Sequence, residues 1–268
     1  MIADLRGRVA VVTGAASGIG FALCQRFAAE GMRVVMADVD PTRLVAATGQ
    51  LDAEVEAVPT DAARSEDVDV LARRAIERFG AVHVLCNNAG VTRPALAWEL
   101  TLEQWEWVIG VNLWGVIHGI RAFVPGMIER GEPAHVVNTA SVGGLVAFPQ
   151  LAAYSAAKSG VVALSESLAH DLRARSAPVG VSVLCPGPVT TGFRAHSRAL
   201  QPAADDQPLP DAVGDVDWQA PTDVATRVVD AIAHDRFWIL THPAYNEAIE
   251  RRCRGIVETG EVVEPGFL

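Results

Sequence analysis

The sequence predicts an α/β protein: a doubly wound parallel sheet of about seven strands with helices on both faces, a three-layer sandwich. Three observations lead there. Short β-branched runs alternate with longer helical patterns along the whole chain. Most of the runs are apolar without strict alternation, as strands covered on both faces are. A glycine-rich turn, "TGAASGIG", joins the first run to the first helical pattern.

In chain order the strand runs are "RVAVVTG" (8–14), "RVVMAD" (33–38), "EVEAVPTD" (54–61), "VHVLCNNAG" (82–90), "AHVVNTAS" (134–141), "VSVLCPG" (181–187) and "RFWILTH" (236–242). Helical patterns fall at 18–30, 41–51, 65–79, 101–129, 151–175 and 221–235. Regular β-α alternation implies parallel pairing through right-handed crossovers. No repeat or linker divides the chain, so residues 1–268 are expected to form one domain. Two segments break the rhythm. Residues 190–218 are rich in Pro and Asp and too long for a plain connection, which marks a substrate loop or lid. Residues 243–268 read as an extra helix and a tail.

Half of the 268 residues are apolar, enough for a large core, and the formal net charge is −10. That balance disfavours nucleic acid, whose phosphates need clustered Lys and Arg. Cys24, Cys86, Cys185 and Cys253 show no CxxC spacing and no companion His, so they read as buried free thiols of a reducing compartment and no metal is expected. The start of the chain enters a strand pattern at once, without a signal segment. The apolar run around Val108–Ile120 is shorter than the roughly 18–20 residues that span a bilayer. A cytoplasmic protein is the expectation.

The glycine turn carries the first chemistry. Gly14, Gly18 and Gly20 let the backbone turn sharply, let a pyrophosphate approach, and let helix and strand pack closely. Free N–H groups over Ser17, Gly18, Ile19 and Gly20 then face the phosphate charge. Asp38 ends the second run, 18 residues after Gly20. Its carboxylate can accept from both adenosine ribose hydroxyls, and it repels a 2′-phosphate. At about 4 Å and an effective dielectric of about 20, that repulsion is about 4 kcal/mol per unit charge, on the order of a thousandfold in favour of NAD. Arg43 is the cation that could swing back to offset it, and Asp38 could instead cap the next helix.

Proton chemistry is suggested by "YSAAK". Tyr154 and Lys158 lie four apart, one turn along a helix face. A phenol with a pKa of about 10 is a poor base at neutral pH, and moving it to about 7 takes roughly 4 kcal/mol. One partly desolvated ammonium can supply that. The pair could equally be an ordinary helix surface. Context favours chemistry: Ser141, the "NNAG" at 87–90 and Pro186–Gly187 all lie at carboxyl ends of strand runs, where doubly wound sheets bind ligands. Asn112 is a polar residue inside the apolar "VIGVNLWGVI" and needs a buried partner.

"TGAASGIG", Asp38, Asp61, "NNAG", Asn112, Ser141, "YSAAK" and "PGPVTT" together resemble the short-chain dehydrogenase/reductase family, in order and spacing, over residues 5 to about 240. The resemblance implies a Rossmann fold and transfer of hydride between NAD(H) and a secondary alcohol or ketone. It makes Tyr154 the general acid/base, with Lys158 lowering its pKa and holding the nicotinamide ribose. Ser141 would bind the reacting oxygen, and Asn112 would position a proton-relaying water. Asp61 and Ala62 would face the adenine, Asn88 and Gly90 the adenosine side, and Val189 and Thr191 the carboxamide, with Pro186 and Gly187 completing the cofactor site. An NADP-preferring reductase and a non-catalytic dinucleotide-binding protein remain the alternatives.

Substrate recognition is expected from the variable loops: Val142, Val146 and Phe148, Thr92 and Arg93, and Phe193 with Leu200. Most are apolar, which points to a hydrophobic substrate; Arg93 and Arg194 could hold an anion instead. The seven histidines read as surface or packing residues. Trp105, Trp107, Trp114 and Phe123 lie on more than one face of their helix, as at a subunit interface. With the resemblance, a homotetramer is favoured and a dimer second. The tail "EVVEPGFL" could dock on a neighbour or fray.

Overall fold

β-Branched runs with few charges form seven strands: β1 (Val9–Thr13), β2 (Arg33–Asp38), β3 (Val55–Pro59), β4 (Val84–Asn87), β5 (Ala134–Thr139), β6 (Val179–Cys185) and β7 (Trp238–Leu240). The computed structural model describes residues 2, 4–202 and 217–262. The strands make one sheet of order β3-β2-β1-β4-β5-β6-β7, parallel throughout. Every predicted run holds its strand, with ends shifted by no more than three residues.

The helices are α1 (Gly18–Ala29), α2 (Pro41–Thr48), α3 (Ser65–Phe79), α4 (Leu102–Ile109), α5 (Gly115–Arg130), α6 (Ala152–Ala174), α7 (Phe193–Leu200), α8 (Pro221–His234) and α9 (Asn246–Arg254). Their ends follow local chemistry. Asp40 caps α2 by accepting from the Thr42 and Arg43 N–H groups, so the cap is Asp40 and Asp38 is left to other work. Thr101 and Gln104 form a reciprocal capping box on α4. Gly80 and Gly131 end α3 and α5 with φ of 76° and 70°, values that disfavour any side chain.

Two cores cover the sheet. Ala10 and Val12 of β1 join Leu23, Phe27, Leu44 and Ile232 of α1, α2 and α8. Val9 and Val11 join Leu71, Phe123 and Leu172 of α3, α5 and α6 on the other face. A strand's side chains alternate between faces, so a strand buried on both must be apolar throughout.

The predicted helix at 101–129 is α4 and α5 joined by a π-helical turn, Gly110–Trp114, which carries Asn112. By length and composition alone the stretch Leu102–Arg130 could cross a bilayer, more than the sequence reading allowed. Here it packs on α3 and α6, and its buried Asn112 is bonded to a loop. The Pro- and Asp-rich segment holds α7; residues 203–216 of it lie outside the described residues. The tail begins with α9 and a π-helical turn at Gly255–Thr259; of "EVVEPGFL", residues 263–268 lie outside the described residues. Cys24, Cys86 and Cys185 are buried free thiols, whereas Cys253 is exposed.

The strand order reverses between β1 and β4, since β2 lies to one side and β5 to the other. The loops diverge there and leave a crevice at the carboxyl edge of the sheet.

Candidate active site

The floor of the crevice is the turn after β1. Gly14 and Gly18 have φ of +65° and +54°, which glycine alone adopts at no cost. A Cβ on Gly20 would lie 2.1 Å from the Gly14 carbonyl oxygen, and one on Gly14 would lie 2.9 Å from the Ala89 backbone. Ser17 stands at the N-cap of α1 and makes no side-chain cap bond. The first-turn N–H groups after it, through Ile19 and Gly20, have no intrahelical acceptor and favour an anion. Asn88 braces the turn by donating to the Thr13 carbonyl at 3.0 Å, and the Asn88 and Ala89 N–H groups bond the Thr13 hydroxyl.

Asp38 ends β2 beside this turn. Its carboxylate accepts the Ala16 N–H at 3.0 Å and the Asp40 N–H at 3.1 Å, which aims it along the crevice. Asp61 accepts from the Ala63 N–H at 2.9 Å, and the Ala62 carbonyl lies 3.1 Å from His118. The glycine cradle, the anion-binding helix start and the aimed carboxylate suit a dinucleotide.

The reactive groups gather above β4, β5 and β6. Ser141 follows β5; its hydroxyl accepts the Gly143 N–H at 3.0 Å, lies 3.4 Å from the Pro186 carbonyl and stands beside the Tyr154 ring across Gly143. Tyr154 is half-buried on the first turn of α6. Lys158 follows one turn on and is only 2% exposed; its ammonium donates to the Thr139 carbonyl at 2.8 Å and lies 5.8 Å from the centre of the Tyr154 ring. Asn112 is fully buried, donating to the Val91 and Val108 carbonyls at 2.8 Å and accepting the Val91 N–H at 3.2 Å. A Cβ on Gly90 would meet Asn112 Oδ1 at 2.9 Å and Lys158 Nζ at 3.6 Å, so glycine keeps these groups at one spot.

The electrostatics differ from the expectation that Lys158 draws the phenol towards neutrality. Burial pushes the Tyr154 pKa above its ordinary 10, and the neighbouring Ser141 hydroxyl only opposes this. Burial also pulls the Lys158 ammonium down to about 7. Desolvation penalises each charged form, and at 5.8 Å from the ring the half-neutral amine does not overcome it.

The loop after β6 forms the third wall. The Gly187 N–H donates to His242 Nδ1 at 3.1 Å, and the His242 Nε2 side lies 3.0 Å from the Pro188 carbonyl. Val189 pairs with Gln219, and the Thr191 methyl packs where a Cβ on Gly18 would be, 3.0 Å away. Phe193 meets Tyr154 edge-on at 6.2 Å, and Phe148 meets Tyr245 edge-on at 6.3 Å. Val142 lines a small hollow with Leu145, Cys185, Gly187 and Tyr245. Val146 and Thr92 are buried, Leu200 faces solvent, and Arg93 is only 4% exposed.

His242 is a buried packing histidine, as expected, and with Tyr245 it backs the loop after β6. His242 lies just beyond β7 at its carboxyl end. Nothing local marks Tyr245.

The family model for short chain dehydrogenase matches residues 8–201. Over 243 residues the chain is 42% identical to the 1-deoxy-11-beta-hydroxypentalenate dehydrogenase of Streptomyces exfoliatus, covering 89% of this chain and 84% of that protein. It is 35% identical over 203 residues to 3beta-hydroxysteroid dehydrogenase 1 of Eggerthella lenta, covering 74% of this chain and 77% of that one. A short chain dehydrogenase/reductase from Burkholderia phymatum, solved in complex with NAD, superposes with a TM-score of 0.92 at 41% identity over 99% of both chains. With its seven-stranded parallel sheet and glycine-turn crevice, this chain belongs to the short-chain dehydrogenase family of oxidoreductases.

Proposed function

We propose that the protein is an NAD-dependent dehydrogenase that oxidises a hydrophobic secondary alcohol or reduces the matching ketone. The observation that carries this reading is the meeting of Ser141, Tyr154 and Lys158 at the mouth of the crevice over the glycine turn. Gly14, Ser17, Gly18, Ile19 and Gly20 would hold the pyrophosphate, Asp38 the adenosine ribose, and Asp61 and Ala62 the adenine. Val189 and Thr191 would hold the carboxamide. A bound oxidised nicotinamide supplies the hydride acceptor and a positive charge that favours the phenolate.

The chain's own groups do the rest. Ser141 donates to the reacting oxygen and orients it. Tyr154 takes the alcohol proton during oxidation and returns one during reduction. Lys158 holds the ribose, and its pKa of about 7 lets it pass a proton near neutrality. Asn112 holds the loop at Gly90–Val91 against this group and positions the relay water. Phe148, Phe193, Val142 and Tyr245 offer apolar walls, and relatives named for hydroxypentalenate and hydroxysteroid substrates support an apolar alcohol.

We also propose a cytoplasmic homotetramer. Leu102 and Trp114 are 81% and 52% exposed on the α4–α5 stretch, an apolar surface suited to a second copy. Light scattering of the purified protein reads the assembly directly.

The test is Tyr154→Phe with a panel of secondary alcohols, followed by absorbance of the reduced cofactor. Turnover falls by at least a thousandfold while NADH binding is kept. Full activity in this variant would remove the mechanism; absence of NADH binding by the unmodified protein would remove the assignment.

A further inference from the structure

Helix α7 lies over the crevice as a strap held on more than one side by its first five residues. At the chemistry end Phe193 stands against Tyr154. Ser197, buried on the inner face, accepts the Thr92 N–H at 3.0 Å and returns its own proton to the Phe193 carbonyl at 2.8 Å. On another side of the same first turns, His196 Nδ1 lies 3.3 Å from an Arg43 guanidinium nitrogen on the first turn of α2. This second contact joins the strap to the residues around Asp38, where the adenosine ribose would be held.

The contact has a fixed polarity. A guanidinium only donates, so His196 Nδ1 accepts and the imidazole is neutral with its proton on Nε2. The charged groups facing the ring are Arg43 of α2, its N-cap Asp40, and Asp38 of β2, while the His196 backbone N–H donates to the Gly192 carbonyl. Burial and then Arg43 lower the His196 pKa; Asp38 and Asp40 oppose them without reversing the result. The imidazole is therefore neutral at pH 7. Protonation would place two cations in contact and leave Arg43 without its acceptor.

We propose that His196 is a positioning residue: by accepting from Arg43 it closes α7 over the adenosine end of the crevice and slows release of the dinucleotide. This rests on the reading that the crevice holds NAD. The two residues are 153 positions apart, and neither belongs to the glycine turn or the Ser141–Tyr154–Lys158 group.

The test is stopped-flow displacement of NADH from the holoenzyme, read by its fluorescence, at pH 7.5 and pH 5.5. His196→Ala and Arg43→Ala should each speed release about fivefold at pH 7.5, the scale of one net hydrogen bond. The double variant should be no faster, because both changes remove the same contact. His196→Asn, whose amide oxygen can stand in for Nδ1, should restore slow release. Lowering the pH should speed release from the unmodified enzyme but not from His196→Ala or His196→Asn. Single variants that release NADH at the unmodified rate, effects that multiply in the double variant, failure of the Asn rescue, or an equal pH response in His196→Ala would each overturn the proposal. A protein that binds no NADH would take the functional assignment down with it, whereas normal binding with unchanged release would sink the strap alone.

Discussion

Replacing Lys158 by Met should make the protein more stable near neutral pH, and the gain should shrink as the pH rises. Burial lowers the ammonium's pKa from 10.5 to about 7. A depressed lysine pKa penalises folding: the penalty is greatest at and below pH 7 and is relieved as the pH climbs towards 10.5. At about 1.36 kcal/mol per unit, the unfolded chain gains by holding the proton while the folded lysine is half-deprotonated. The cost is about 4 kcal/mol at pH 7 and about 2 kcal/mol at pH 9. Against it stands the Thr139 carbonyl, which Lys158 bonds at 2.8 Å and which Met would leave unpaired. That loss costs about 1–3 kcal/mol and does not depend on pH. Lys158→Met should therefore exceed the unmodified protein by roughly 1–3 kcal/mol at pH 7, and the difference should fall by about 2 kcal/mol between pH 7 and pH 9. Urea unfolding followed by circular dichroism measures this, at one protomer concentration because assembly adds stability. A difference that stays constant across that range would refute the reasoning, since it would mean the folded lysine keeps an ordinary pKa.

Asp38→Ser keeps an acceptor for the Ala16 N–H but removes the charge; the preference for NADH over NADPH, read as a ratio of dissociation constants by fluorescence titration, should narrow at least tenfold, within the thousandfold scale of the charge repulsion. An unchanged ratio would take cofactor choice away from this carboxylate. His135 is fully buried, 2.7 Å from the Ser182 hydroxyl, and burial lowers its pKa from 6.5 to about 4, with Asp235 partly opposing. Its contribution is present above pH 6.5 and lost as the pH falls towards 4, about 3 kcal/mol by pH 4. Urea unfolding of His135→Gln should show a shallower loss between pH 7 and pH 4; slopes identical to those of the unmodified protein would mean the imidazole already titrates normally in the fold.

Much of the site was legible because its signals are local. The turn at Gly14, Gly18 and Gly20 is confined to seven positions, and its need for positive φ and close backbone approach belongs to those residues whatever surrounds them. Tyr154 and Lys158 share a helix face by spacing alone. The apolar runs foretold strands covered on both sides, because only a residue with no polar side chain is cheap on both faces of a sheet. The π-helical turn at Gly110–Trp114 was not legible, since apolar spacing cannot separate it from a continuous helix.

The chain's local chemistry thus determined the alternation of elements, the glycine turn, the acid at the end of β2 and the tyrosine–lysine pair. Folding decided what distance in sequence conceals: His242 bracing Gly187 from 55 residues away, and Arg43 meeting His196 from 153. It also decided the protonation of the reactive pair. A pKa depends on how much water and which charges surround a group, and for Tyr154 and Lys158 those surroundings exist only once β4, β5, β6 and α7 have closed around them.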